Sequence, residues 1–399
     1  MRAKISSTHR PHRPPATSGT AGTDAPAGPP SSAPSPAPDD APPAQLPATS
    51  SGPLTRDELE LGRRNHSAPL ESLRWAITPP GMHYTLIHFD VPHLDREAWR
   101  LRIHGAVEHP LELSLSDLRR RPRRTVPVTL ECAGNGRARL DPRPMSVPWD
   151  TGAFGTAEWT GTPLAPLLHE AGLAPEAVEI VFTGADRGIQ GGVEQDYARS
   201  LSIADASADE VLLAYEMGGL PLPPQHGYPL RLLVPGWYGM ASVKWLVAIE
   251  AVTEPARVFQ NEVAYRFQNA ADDAGTPVTR IRVRSLLAPP GIPDFLTRRR
   301  LVDAGPTMLT GRAWSGAGPV RRVEVAVDGH WADAHLDPAP GPHAWHGFSF
   351  PWVATPGTHT LASRATDDAG NIQPVEIPWN YQGMANNAVQ EIEVEVRPA

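Results

Sequence analysis

The sequence predicts a mixed α+β region followed by an all-strand region, the latter a β-sandwich of immunoglobulin type. Three observations carry that expectation. Between Tyr84 and Val252 short strand-like segments outnumber short helical ones, without the regular βα alternation of a doubly wound sheet. After Pro277 apolar and polar residues alternate repeatedly, with turn signals at short intervals. Ahead of both, residues 1–52 are rich in Pro, Ala, Ser and Thr, and no Phe, Trp or Tyr precedes Trp75. Such a segment cannot bury enough apolar surface to offset its ordering entropy. The expected organisation is a disordered tail (1–52), an α+β domain (53–255), a connecting segment (256–276) and a β domain (277–399).

Taken in order, Thr55-Arg-Asp-Glu58 has the pattern of a capping box and predicts a short helix with Leu54, Leu59 and Leu61 nearby. Tyr84 to Val91 and Trp99 to Val107 read as strands, and Ser116 as the cap of a helix through Leu118 and Arg120. The following run RRRPRR reads as a solvated basic face. Val126, Val128 and Leu130 alternate with Pro127, Thr129 and Glu131, a strand that runs into Cys132-Ala-Gly-Asn-Gly-Arg137. Thr162 and Pro163 look like the N-cap and first residue of a helix ended by Gly172. Val178 to Thr183 reads as a short strand entering a loop at Gly184 to Gly188, and Val211 to Tyr215, Leu232 to Val234 and Ser242 to Val252 as further strand segments. Beyond Pro277, Val323, Val325 and Val327 alternate up to a hairpin signal at Asp328-Gly329. Phe348, Phe350 and Trp352 alternate again, as do Ile392, Val394 and Val396 against Glu391, Glu393 and Glu395.

Composition narrows function. The 399 residues carry a net charge of −8, which argues against nucleic acid as a partner. A single cysteine excludes an internal disulfide, c-type haem attachment and every multi-cysteine metal pattern. No apolar run approaches the roughly 18 residues needed to span a membrane. The N-terminus lacks the apolar stretch of a secretory signal, so a cytoplasmic location is expected, with the periplasm left open.

The polar residues that follow strands or sit in Gly- and Pro-rich loops are Cys132, Arg137, Asp186, His226, Arg231, Lys244 and Tyr265. A thiol above a glycine turn and beside arginines is placed to ionise, and the cationic groups around it suit an anion. Three chemistries fit. One is a cysteine hydrolase pairing Cys132 with His226, which needs a third orienting residue and an oxyanion hole. Another is a redox-metal site in which Cys132 is one ligand and a phosphate-bearing cofactor supplies the others. The third is a binding protein with no catalysis.

Longer strings decide what the chain looks like. VTLECAGNGR, EWTGTPLAPLL, LAYEMGGLPLPPQHGYPLRLLVPGWYGMASVKWL, GRAWSGAGPVRRVEVAVDG and ATDDAGNIQPVEIPWNYQGMANN resemble the sulfite oxidase family of molybdenum enzymes. The likeness runs from Tyr84 to the C-terminus, about four-fifths of the chain. It implies a sulfite-oxidase-type molybdopterin-binding domain followed by an immunoglobulin-like dimerisation domain, and hence a homodimer. It implies molybdopterin carrying molybdenum, with Cys132 as the protein's thiolate ligand. Tyr84, His88, Asp186, His226, Arg231, Ser242, Val243 and Lys244 match positions that hold the pterin and its phosphate. Tyr265 matches a tyrosine beside the metal, and Arg137 a cation of the anion pocket. The implied activity is transfer of an oxygen atom to or from a small oxyanion or sulfur compound, with electrons exchanged through a separate carrier such as a cytochrome.

Two departures stand out. Members that oxidise sulfite carry an Arg-Asn-His sequence whose arginine reaches the substrate. Arg64-Asn65-His66 has those letters, but Tyr84 to His88 has the better placement, which sets Leu86 where the arginine belongs. Ala264 stands where an acidic residue often precedes the tyrosine. The first departure makes reduction of a sulfoxide or another oxo compound the alternative reading, beside a cofactor-free binding protein.

Overall fold

In the computed structural model, residues 48–398 are described. Most of the proposed tail, residues 1–47, therefore lies outside them. Its end does not: Thr49 and Ser50 pair with Pro144 and Arg143. The fold is mostly strand with a few short helices. Helix α1 is Arg56–Arg64, with Thr55 and Glu58 closing the expected capping box. Glu58 also accepts from Arg143 at 2.8 Å in a buried ion pair, which holds its carboxyl down at about 2.

The first region contains strands β1 (Leu101–Gly105), β2 (Leu111–Leu113), β3 (Arg124–Glu131), β4 (Phe154–Pro163), β5 (Glu179–Gln190), β6 (Val193–Ser202), β7 (Leu212–Met217), β8 (Leu220–Pro221), β9 (Arg231–Leu233) and β10 (Leu246–Val252). Helix α2 (Leu115–Arg119) precedes β3, and helix α3 (Ala165–Ala171) follows β4. One sheet runs β8-β7-β4-β3, with β9 also paired to β7. The other runs β2-β1-β10-β5-β6, and its β1–β10 pair is parallel. Leu164, Leu167 and Leu168 of the α3 segment pack with Ile103, Phe182, Leu213 and Ile249 in one core. Val128, Leu130, Ala157, Trp159 and Leu233 form a second core on the first sheet.

The second region contains β11 (Arg284–Leu287), β12 (Ile292–Pro293), β13 (Arg300–Asp303), β14 (Gly305–Trp314), β15 (Val320–Val327), β16 (His330–Asp333), β17 (His335–Leu336), β18 (His346–Ala354), β19 (Gly357–Asp367) and β20 (Glu391–Arg397). They form two sheets, β11-β14-β18-β17 and β12-β13-β20-β19-β15-β16. The alternating residues Val323, Val325, Phe348, Trp352, Leu361, Val394 and Val396 share one core drawn from both sheets. Asp328 and Gly329 both adopt positive φ, the backbone a two-residue hairpin requires. Where the regions meet, Phe154, Trp314 and Trp345 pack ring against ring at 5.5–6.0 Å.

Several local expectations are corrected. Tyr84–Val91 is not a strand: only Thr85 makes a bridge, to His66, and the segment is pinned by side chains rather than by a sheet neighbour. The α2 cap is Ser114, not Ser116, because Asp117 completes a capping box from three residues on. β4 continues through Pro163, so α3 begins at Ala165 without a side-chain cap, although Gly172 ends it in the left-handed conformation as expected. The strand expected to stop at Thr183 runs on to Gln190, with its register broken between Thr183 and Arg187, which places Asp186 in a bulge and not in a loop. The basic run is exposed, yet Arg119, Arg121 and Arg123 pair with Glu216 and Glu170.

Candidate active site

The site begins with the end of β3. Glu131 is fully buried and binds three groups: Trp314 Nε1 at 2.8 Å, Asn135 Nδ2 at 3.0 Å and the guanidinium of Arg284, whose Nε lies 2.8 Å away in ion-pair contact. Asn135 Oδ1 in turn accepts from the Ala153 amide. The Cys132 amide donates to Ala153 O and the Cys132 carbonyl accepts from Asn135 N, so the loop after the strand is held at both ends. Gly134 leaves room for Arg137, since a Cβ there would lie 2.6 Å from its terminal nitrogens. Gly136 combines a φ of +89° with close approach to Asn386, a conformation an L side chain resists.

A second group of segments faces this loop. Gly227, with a φ of +104°, turns the chain between His226 and Arg231, and its absent side chain lets Lys244 approach. Arg231 donates to His226 O at 3.2 Å and Ser242 O at 3.0 Å and lies over the Trp159 ring. Ser242 Oγ accepts from the Val234 amide. Lys244 Nζ donates to Leu86 O at 2.5 Å and Gln225 O at 3.0 Å, tying together three distant stretches of sequence. Tyr265 adopts a φ of +52° and Trp245 one of +49°, left-handed backbone that costs a non-glycine residue about 1–3 kcal/mol and gathers at functional sites.

Two cavities result, sharing Leu86, His88, Cys132 and Tyr265. The inner one is lined by nine of the expected site residues: Tyr84, His88, Cys132, Asp186, His226, Arg231, Ser242, Lys244 and Tyr265. Arg137 lines the outer cavity, of about 400 Å³. Val243 reaches neither. Its side chain is in the hydrophobic core, and its amide and carbonyl are used by Ala241 O and Leu232 N. The inner wall also includes His83, Tyr197 and Gln225, which sequence reasoning passed over. His83 lies next to Tyr84 in the MHY triplet, and a histidine so near a suspected site was the available signal.

Leu86 borders both cavities, whereas Arg64, Asn65 and His66 border neither. Asn65 Oδ1 accepts the Ile87 amide at 2.8 Å and Arg64 donates to Phe89 O from an exposed position. The Arg-Asn-His letters thus brace the Tyr84–His88 segment from outside, and an apolar side chain occupies the inner position.

Burial dominates the electrostatics. It lowers Lys244 to about 7, Arg231 to about 10, His83 and His88 to about 4 and His226 to about 2. Burial likewise raises Asp186 to about 7, with Lys244 opposing. The Cys132 thiol is pushed up by burial and pulled back only in part by Arg137. The free side chain is therefore a thiol, not the ready thiolate its neighbours suggested, and metal coordination is what would remove its proton. Tyr265 is raised to about 12, which keeps its hydroxyl a donor at neutral pH.

Among the described residues that line the two cavities, Arg137, Arg231 and Lys244 are buried or half-buried cations with no carboxylate within salt-bridge distance. Unpaired buried charge is costly and calls for an anion from outside. His83 Nε2 and Asp186 Oδ1 are buried without a partner in the inner wall. Among the described residues no group of three or more His, Cys, Asp or Glu side chains is placed to hold a metal ion. One thiol, a cationic cradle and unpartnered polar atoms fit molybdopterin, a phosphate-bearing heterocycle whose own sulfurs bind the metal.

Comparisons with known proteins agree. Residues 88–260 match the oxidoreductase molybdopterin binding domain, and residues 277–397 the Mo-co oxidoreductase dimerisation domain. Sulfite oxidase of Gallus gallus is 36% identical over 338 residues, covering 78% of this chain and 72% of that protein. Mitochondrial sulfite oxidase of Rattus norvegicus is 33% identical over 350 residues, 81% of this chain; the chain spans 62% of that relative's length. The sulfane dehydrogenase SoxCD of Paracoccus pantotrophus superposes with a TM-score of 0.72 at 29% identity, over 84% of this chain and 86% of that one. The chain therefore belongs to the sulfite oxidase family of molybdopterin-dependent oxidoreductases.

Proposed function

We propose that this protein moves an oxygen atom to or from a small sulfur compound, oxidation being the main direction. The observation that carries this reading is the position of Cys132, on the wall between an inner cationic cavity and an outer cavity. Molybdenum bound there supplies two-electron redox and oxygen-atom exchange.

The chain's own residues have separable tasks. Cys132 offers its sulfur to the metal from a loop that Asn135 and Glu131 hold rigid. Arg231, Lys244, Ser242 and His226, with Asp186, His83, His88 and Tyr84, would hold the pterin and its phosphate. Tyr265, protonated at neutral pH, donates a hydrogen bond toward the reacting atoms, and Arg137 orients an anionic substrate. Met145, Val147 and Trp149 in the outer wall exclude water from that encounter. The two facing sheets of the second region form an immunoglobulin-like sandwich through which two copies pair. Electrons leave through a separate carrier such as a cytochrome, and the cytoplasm is the proposed location.

Leu86 favours a second reading, reduction of a sulfoxide or other oxo compound, because it removes a cation that an oxyanion would use. Three measurements test these readings, and the last separates them. Purified protein expressed with adequate molybdate is expected to contain one molybdenum and one pterin per chain; finding neither rejects both readings. Cys132→Ser is expected to change the molybdenum EPR signal, and an unchanged signal removes Cys132 from the ligand set. Sulfite oxidation with ferricyanide is then compared with sulfoxide reduction by reduced viologen.

A further inference from the structure

The outer cavity has a composition unsuited to a bare inorganic oxyanion. Among the described residues, Arg137 is the only arginine or lysine in its lining, and no aspartate or glutamate accompanies it. Its Nε donates to Gln382 O, one Nη to Val147 O and the other to Met384 Sδ, which engages three of its five N–H groups. The remaining donors are enough for one monoanion. His88, the other titratable nitrogen of the lining, bonds Gln190 Oε1 at 2.8 Å and is kept neutral by burial. Gln382, also in the lining, is a neutral amide whose nitrogen is committed to Val263 O. Around this lone cation stand Leu86, Met145, Val147, Ile189, Phe259 and Met384.

Charge and size point the same way. Fully ionised sulfite brings two negative charges, and a lining whose described residues hold one cation answers only one of them. A four-atom ion also reaches few of the apolar side chains around Arg137, whereas ligands that bind well bury most of their surface against such walls. A sulfur compound with one negative charge and an apolar substituent matches both the single guanidinium and the apolar wall.

Resting on the oxidative reading above, we infer that the substrate is an organic sulfinate, oxidised to the corresponding sulfonate. The sulfinate sulfur gains one S–O bond to an oxygen that derives from water, and that water releases two protons. Two electrons leave one at a time to an external one-electron acceptor, ferricyanide in the assay. The sulfonate product keeps the single negative charge, so Arg137 faces the same net charge before and after.

The test uses molybdenum-loaded enzyme with ferricyanide and compares kcat/KM for sulfite, methanesulfinate, ethanesulfinate and benzenesulfinate. Sulfinates are expected to exceed sulfite, with each added methylene worth about ten-fold. Calorimetric binding of the product anions gives a readout independent of turnover: methanesulfonate and benzenesulfonate are expected to bind at least about ten-fold tighter than sulfate. Leu86→Arg is expected to reverse both preferences, and the wild-type binding series stands however that variant folds. Loaded enzyme that prefers sulfite, or prefers neutral sulfoxides with reduced viologen, and binds sulfate as tightly as the sulfonates overturns the inference. In the sulfite case the oxidative reading survives. Protein without molybdenum or pterin overturns both.

Discussion

Two clusters of buried charge lie on either side of Cys132, and they differ in one respect. At the end of β3, Glu131 meets Arg284, Trp314 and Asn135, so each charge is answered within the chain. In the cradle, Arg231 and Lys244 donate only to backbone carbonyls, and no described carboxylate pairs with them. Both clusters take charge out of water at considerable cost. The first recovers that cost in folding, because Arg284 and Trp314 belong to the second region and Glu131 to the first. The second recovers it only when an anion arrives. A buried ion pair therefore marks architecture here, and the buried cations that line a cavity without a carboxylate mark a binding site.

The sharpest way to break this contrast is Arg284→Met, which strands Glu131 as a buried charge. A loss of about 3–5 kcal/mol is expected in urea denaturation of cofactor-free protein. Trp314→Phe keeps the ring and removes one hydrogen bond to a charged acceptor, with an expected cost of about 1.5–3 kcal/mol in the same measurement.

The pH dependence of the cofactor-free protein probes the cradle. His83 and His88 titrate at about 4 and His226 at about 2 in the folded chain, against 6.5 for an ordinary histidine. Between about pH 4 and 6.5 the unfolded chain binds histidine protons that the folded chain refuses, so the histidine contribution to stability is full above that window and falls as pH drops through it. Asp186, raised to about 7, binds a proton in the folded state and offsets one of the three. His83→Gln is expected to reduce the slope by at most about 1.4 kcal/mol per pH unit. The smallest stability effect belongs to Arg231→Met, which removes an uncompensated charge. Stability without cofactor should stay within about 1 kcal/mol of wild type, while pterin content of the purified protein drops at least about ten-fold. A large destabilisation there, equal to that of Arg284→Met, would erase the distinction between the clusters.

Legibility followed the range of the interactions. The α1 capping box, the alternation of β15, β18 and β20, the Asp328-Gly329 hairpin and the glycine turn after Cys132 each depend on residues a few positions apart, and all appear as read. The Ser114 cap was itself legible locally, since Asp117 stands three residues after Ser114 whereas Arg119 stands three after Ser116. Tyr84–Val91 has the letters of a strand but no sheet neighbour to accept it.

By itself, then, the sequence determined the α+β-then-β order, the motif strings that mark the family, and the set of polar residues that gather at Cys132. Tertiary structure alone decided their states. It put Asp186 in a bulge and Val243 in the core, brought His83 into the wall, and set Leu86 against both cavities. It also made Cys132 a buried thiol, because burial outweighs the nearby Arg137. The reason is physical: residue type and short spacing are written along the chain, whereas desolvation and charge pairing depend on what lies across space, as Lys244 and Leu86 do from 158 positions apart.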